Sequence, residues 1–588
     1  MHRPRARLGA PGAEHEVGDA ELDGLRDPRQ VATVEGSVAV HEAHDVVGRG
    51  DQAGVARGTK APRGFSDHAG AEIGGELTGP VHGAVVDHDG SEARRQAGEH
   101  RGDRLGLVED RQDDVGHGQP RTGDAGGGVR RHPDPWMTPY RPWMHASTTS
   151  RAVRTAARQP PDLRFVVLAV VGWCVVIVAT HLALAGEPLG EAPGLLLRAP
   201  PLHGVFGARI GASALIGVAV ATVIVVGGPL VVRRAAWGWV LGGAAAAAAA
   251  WAVALALVDG SDGLLRGVLG STEYLADVGR IHDVGDLLMQ YPELVRTRGL
   301  AAHSSGHPPG MLLALVGLDR LGLGGAEPAA VLFVAGGAAS VPAVLVAARE
   351  VVDETFARRA APFVVLAPWA LWLATSADAL YAGVSAWAAT AVIVATGHRG
   401  QRSDALALLG GLGFGAALFL SYGLGLVGLI PLVVAVARRR LRPVVIAAVA
   451  AFAIGLGFLA TGFSWVDGFA ATRERYFAGI ASQRPYLTFL VVNLVVLALL
   501  LGPIGTYGLA RLRDRAAWML VGGAAGAVAI ADLSGMSKGE VERIWLPFAV
   551  WLLLACGAID ARVPVTRGLL AIQVTACLAI STTVVTAW

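Results

Sequence analysis

Apolar residues gather into long runs only after Arg164, and from there such runs recur to the end of the chain. A membrane-crossing helix needs about 20 apolar residues. Clear runs of this kind lie at 165–186, 210–232, 237–258, 329–348, 444–463, 487–509 and 569–588. Less cleanly separated ones lie at 361–375, 380–396, 405–420, 424–437, 518–531 and 544–559. The pattern predicts an all-α polytopic membrane protein with about 13 transmembrane helices. One shorter run, 310–323, carries Asp319 and Arg320 and ends in Gly322, Gly324 and Gly325. It is read as a re-entrant half-helix, too short to cross.

Charge then orients the helices. Arginines cluster at 151–164, 233–234, 358–359, 399–402, 438–442, 511–515 and 562–567, all in short connections. Placing those connections in the cytoplasm satisfies the positive-inside rule. The parity holds only if 310–323 does not cross. This puts the N-terminus inside, the C-terminus outside, and the protein in the plasma membrane as a multi-pass chain. Stretches rich in small residues, such as 242–250 and 410–415, suit close helix–helix packing.

The first 143 residues break the pattern. Up to Pro135 the only aromatic is Phe65, and eleven of the seventeen histidines fall between His2 and His145. So few large apolar groups cannot offset the entropy of ordering, so residues 1–143 are expected to be disordered. A second expectation is that they are a spurious extension, with the start at Met137 or Met144. Residues 144–164 then form a short basic cytoplasmic tail ahead of the membrane domain at 165–588.

Composition agrees with that layout: 53% of residues are hydrophobic and mean hydropathy is +0.46. Net charge of +2 gives no electrostatic footprint for nucleic acid. Cys174, Cys556 and Cys577 all lie inside apolar runs, without metal-ligand spacing, so no metal site is assigned. No Walker A, GxSxG or HExxH motif occurs.

Polar chemistry concentrates in one long outer loop, 259–309, and two shorter ones, 464–486 and 534–543. The long loop carries Asp259, Asp262, Glu273, Asp277, His303 and His307. Within it Ile281, Val284, Leu287, Leu288, Tyr291, Leu294 and Val295 recur at helical spacing, which predicts a helix lying flat on the membrane, apolar face down. His307 precedes Pro308 and Pro309, and either caps the following helix, anchors at headgroups or serves a site. Asp378 stands at a span boundary, where an ionisable group either caps a helix or serves a site. Lys538 is the only lysine of the membrane part, and Arg543 sits on the outer rim against the charge bias, near Glu542. Arg473, Arg475 and Arg484, beside Tyr476 and Tyr486, share that outer placement. They cradle a phosphate or sugar, or they meet anionic lipid.

With Glu273-Tyr274-Leu275 in the large outer loop and His307-Pro308-Pro309 after it, residues 259–378 resemble membrane glycosyltransferases of the GT-C fold, in their protein O-mannosyltransferase and aminoarabinose-transferase branch. The membrane part as a whole also resembles a group of uncharacterised integral membrane proteins of high-GC bacteria. Two features depart from the GT-C layout: two more spans precede the loop, and Thr272-Glu273 stands where that family has paired acids, unless Asp259 and Asp262 take that role. The resemblance implies transfer of a sugar from a polyprenyl-phosphate donor to a cell-envelope acceptor on the extracytoplasmic face. Such a step needs a carboxylate to take the acceptor's proton, and cations or a divalent metal ion to stabilise the departing phosphate. Glu273 is the expected base, with Asp277, Asp262 and Asp378 as further catalytic acids. His303, His307, Lys538, Glu542, Arg543, Arg473, Arg484 and Tyr476 are the expected substrate-binding residues. The alternative is a transporter or flippase of lipid-linked envelope intermediates. A third reading is a structural partner in envelope assembly without chemistry of its own.

Overall fold

A computed structural model describes residues 161–185 and 197–586. The expectations for 1–143 and for most of the 144–164 tail fall outside these residues. The long apolar runs become helices: α1 Leu163–Ala185, α2 Ala214–Arg234, α3 Trp237–Ala256, then α4 Asp262–Leu269 and α5 Val284–Arg296 in the long loop and α6 Gly310–Arg320 after it. They continue as α7 Ala326–Val351, α8 Asp378–Gly397, α9 Gln401–Leu420, α10 Arg442–Ala460, α11 Trp465–Phe477, α12 Tyr486–Arg511, α13 Arg515–Leu533 and α14 Val563–Thr583. Among the described residues, ten of these are long and apolar enough to cross a membrane, so the fold is that of an all-α, polytopic membrane protein. The runs at 361–375, 424–437 and 544–559 are not single long helices. The first is split into Glu354–Val365 and a 3-10 turn Pro368–Trp372, and the others give apolar helices of Tyr422–Ala437 and Leu546–Ala558. Prolines 368, 431 and 547 sit at or near these breaks, where a missing N–H and a fixed φ shorten regular helix.

The bundle has two chemically distinct ends. At one, arginines close the turns: Arg358 donates to the carbonyls of Val232 and Ala235, Arg359 pairs with Asp560, Arg438 with Glu350, and Arg442 with Asp404. At the other lie 259–309, 464–486 and 534–545, with a small antiparallel sheet of β1 Gly204–Phe206 and β2 Val584–Thr586. Both ends of α6 lie here: a Cβ on Gly310 would meet the Phe419 carbonyl at 2.2 Å, and Arg320 donates to the carbonyl of His282. Segment 310–323 therefore starts and finishes at the same end, as its length predicts.

One expectation about the loop is corrected. α5 forms over the expected residues, begun by Asp283, whose side chain accepts the N–H groups of Gly285 and Asp286. Its apolar face does not lie open for lipid, however. Leu287, Leu288, Tyr291 and Val295 are buried within the protein. Tyr291 packs edge-on against Phe463, and its hydroxyl donates to the carbonyls of Ser304 and His307. Arg475 of α11 donates to the carbonyls of Val295 and Leu300, tying the loop down from above.

Inside the bundle, backbone breaks are repaired by side chains. α12 kinks at Gly502 (φ 69°) ahead of Pro503. There the buried Gln573 of α14 accepts from the Ile504 N–H at 2.9 Å and donates to the Leu501 carbonyl at 2.7 Å. Backbone polar groups in lipid have no water to turn to, so each must find a protein partner. Gln573→Leu keeps the size and strands both groups, at about 1–3 kcal/mol each. The variant is expected to show a clearly lower thermal midpoint in detergent, and an unchanged midpoint would mean the kink finds other partners.

Candidate functional site

At the loop-bearing end, three segments far apart in sequence converge on one guanidinium. Arg543 lies in a single turn, Val541–Ile544, that follows Glu540, a residue held at φ 60°. From there it donates to Asp378 at 2.9 Å, to Glu540 at 2.6 Å and to His303 Nε2 at 2.9 Å. An arginine has no acceptor, so His303 Nε2 must be the unprotonated nitrogen and Nδ1 carries the proton. Nδ1 faces Glu273 Oε2 at 2.7 Å. The order Glu273, His303, Arg543, Asp378 is thus a continuous polar chain.

Local structure explains each placement. Asp378 is the first residue of α8, held by the Ser376 hydroxyl, which donates to its carboxylate at 2.8 Å. That carboxylate is engaged by Arg543 and Ser376, not by the helix N–H groups, so Asp378 does not act as a cap. His307 does not cap the next helix either. Its ring sits between those of Tyr274 and Tyr381, with centroids 6.1 and 5.6 Å away, and the two tyrosine hydroxyls meet at 2.8 Å. Burial pulls the His307 imidazole down to about 4, so it is neutral near pH 7. α4 presses against the wall of the site: a Cβ on Gly267 would lie 1.9 Å from the Thr375 carbonyl, so only glycine fits.

Gly267, Glu273, Tyr274, His303, Thr375–Asp378 and Arg543 line one pocket. Its free space is only about 10 Å3, room for about one water. Thr375 also lines a neighbouring pocket of about 50 Å3, beside Asp259, which pairs with both Arg209 and Arg266.

Of the expected catalytic acids, Glu273 and Asp378 share the pocket, while Asp277 and Asp262 do not. Asp277 is buried but spent on structure, accepting from the Ala301 N–H at 2.9 Å and pairing with Arg280. Asp262 is an exposed residue at the start of α4. Among the expected binding residues, His303 and Arg543 line the pocket and His307 backs it. Lys538 does not: its ammonium donates to the carbonyls of Ala481 and Arg484, fastening the 534–543 loop to the 480–484 turn. Arg484 donates to the Lys538 carbonyl and lies over the Phe489 ring, and Tyr476 accepts the Lys538 N–H. These three residues knit two loops together. Arg473 is exposed and lies over Phe477.

Glu540, not among the expected residues, is the second carboxylate on Arg543, and its one-turn spacing from Arg543 was the available signal. Burial by itself would raise its carboxyl, but Arg543, with His303, Arg484 and His203, holds it down at about 2. Glu542 behaves oppositely. It is almost fully enclosed, and burial, reinforced by Glu540, raises it to about 7. Arg543 itself is held more firmly charged, because the attraction of Asp378 and Glu540 outweighs its burial. Among the described residues, no three His, Cys, Asp or Glu side chains converge as a metal-holding group. The arrangement offers a carboxylate base, a tautomer-fixed imidazole and a buried cation in a row. Comparisons with protein-family models, with curated proteins and with solved structures find no match.

Two outcomes follow from these charges. Arg543→Met leaves Asp378 and Glu540 without their shared counter-ion, at about 3–5 kcal/mol. Arg543→Met with Asp378→Asn is expected to recover part of the lost thermal stability, and no recovery would contradict the pairing. A carboxyl whose pKa is raised on folding stabilises the protein below its unfolded value and loses that contribution as pH rises through the folded one. Glu542 should therefore make stability fall between about pH 4.5 and 7. Glu542→Gln should flatten that slope in a thermal-shift series, and an identical slope would assign it elsewhere.

Proposed function

We propose that this chain is a membrane glycosyltransferase that moves a sugar from a polyprenyl-phosphate donor to a cell-envelope acceptor, with the loop-bearing end facing outward. The observation that supports this reading is the pairing, in one pocket, of Glu273 and Arg543 on the two nitrogens of His303. Three further end-to-end segments, 354–372, 422–437 and 546–558, taken as crossings, bring the ten long helices to thirteen. That odd number sets the two termini on opposite sides, N-terminus inside under the positive-inside rule. The GT-C-like resemblance of 259–378 is part of the same proposal.

In this reading Glu273 is the base. His303 Nδ1 lies 2.7 Å from its Oε2, and the carboxylate takes the proton of the acceptor hydroxyl. The acceptor oxygen bonds to the sugar's anomeric carbon as the carbon–oxygen bond to phosphate breaks, which inverts the centre. The electron pair leaves with the polyprenyl phosphate. The charge that develops there falls to Arg543, the buried guanidinium that lines the pocket. A phosphate reaches Arg543 by displacing Glu540, 29% exposed, rather than Asp378, 5% exposed. The small free space means that the loop must lift before a sugar enters, as lids do in many enzymes.

The test is transfer by purified protein in lipid, with radiolabelled polyprenyl-phosphate sugars as donors and envelope extract as acceptor. Wild type is expected to transfer label, with Glu273→Gln lowered by about 100-fold or more. Transfer undiminished in Glu273→Gln moves the base to Asp378. No transfer with any donor, alongside binding of the lipid-linked sugar, replaces the transferase with a flippase.

A further inference from the structure

The arginine-rich end of the bundle holds a second built cavity, unconnected with the transferase reading. It is a cleft of about 300 Å3 between the end of α2, the segment 354–365 and the turn 559–566. Its polar wall is Arg233, Arg358, Arg359 and Asp560, and its apolar wall is Pro229, Val232, Pro362 and Phe363. Fixed acids do not match the charge there. Three guanidiniums, of Arg233, Arg358 and Arg359, line it with one carboxylate, that of Asp560, while Glu354 outside the lining pairs with Arg358. Trp237 packs between Arg349 and Arg358, whose guanidinium carbons lie 5.0 and 5.5 Å from its ring centre, which stiffens that side.

The hydrogen bonds point the same way. Each guanidinium carries five N–H groups. Arg233 gives a bond to the Ala561 carbonyl and Arg359 reaches Asp560, which leaves both able to serve a further acceptor. The neighbouring surface suits acyl chains. α2 is among the least enclosed of the spans, and Val226, Leu230 and Val231, next to the cleft, are exposed. A surplus of guanidinium at the membrane edge, bordered by apolar side chains, fits a phosphate carried on a lipid.

We propose that this cleft binds the phosphate of an anionic phospholipid headgroup, with Arg233 and Arg359 as its principal donors and the exposed face of α2 receiving an acyl chain. A free phosphate shares the headgroup chemistry but not the acyl contact.

The test titrates the full-length protein in detergent with phosphatidylglycerol and phosphatidylcholine and reads retained lipid by native mass spectrometry. Wild type is expected to retain phosphatidylglycerol about tenfold or more over phosphatidylcholine. Arg233→Gln/Arg359→Gln should lose that preference, and Arg402→Gln, an exposed arginine at the same end outside the cleft, should keep it. Thr355→Trp guards against misfolding, because Thr355 is an exposed part of the cleft wall and its replacement blocks the cavity with every ion pair intact. It too should lose the preference. Equal retention of both lipids by wild type, or an undiminished preference in Thr355→Trp, overturns the proposal. Displacement of phosphatidylglycerol by millimolar inorganic phosphate overturns the lipid as occupant and assigns the cleft to a soluble phosphate.

Discussion

A single buried cation organises the loop-bearing end of this protein. Removing a guanidinium from water costs several kcal/mol unless partners surround it, so Arg543 is stable only where Asp378, Glu540 and His303 all reach it. Those partners come from the first residue of a span, the turn before Arg543 and the far end of the long loop. Satisfying one charge therefore fixes the relative positions of three segments that share no local sequence. Glu273 stands next in the row, its Oε2 2.7 Å from His303 Nδ1 on the ring edge away from Arg543.

The outer attachments of the same loop are of a different kind. Arg296 of α5 pairs with Asp467 and Glu474 of α11, both exposed, and exposed pairs contribute only about 0–1 kcal/mol. The apolar face of α5 and the Tyr291 hydroxyl hold it more firmly from below. The bundle beneath it is rigid by comparison, since its kinks are closed by side chains such as Gln573 and its helices approach through glycine. A Cβ on Gly383, for example, would lie 2.1 Å from the Gly336 carbonyl.

How much of this the chain discloses beforehand depends on the range of the interaction. Helices written as 20 apolar residues are readable without partners, because the bilayer thickness alone selects them. The runs at 361–375 and 544–559 hold broken rather than continuous helix, because breaks at prolines are tolerated wherever neighbouring helices satisfy the backbone. α5 was visible in its spacing, but periodicity cannot say whether lipid or protein covers an apolar face, and here protein does. Of the charged residues, Arg543 and Asp378 stood out by defying their surroundings. Lys538 stood out equally, yet its ammonium serves two backbone carbonyls. Rarity in the sequence marks a residue with a demanding environment and does not distinguish a binding role from a structural one. Glu540 passed unnoticed since an acid in a polar loop is unremarkable until the fold places a buried arginine one turn away.

The central claim is that the Glu273–His303–Arg543 row is where a lipid-linked substrate is handled. Electron cryomicroscopy of the protein in nanodiscs with a long-chain polyprenyl phosphate tests it most directly. The account predicts the phosphate within hydrogen-bonding distance of Arg543, Glu540 displaced from it, and the prenyl chain leaving along the bundle from that end. Phosphate density elsewhere, with Arg543 still holding both carboxylates, would contradict it.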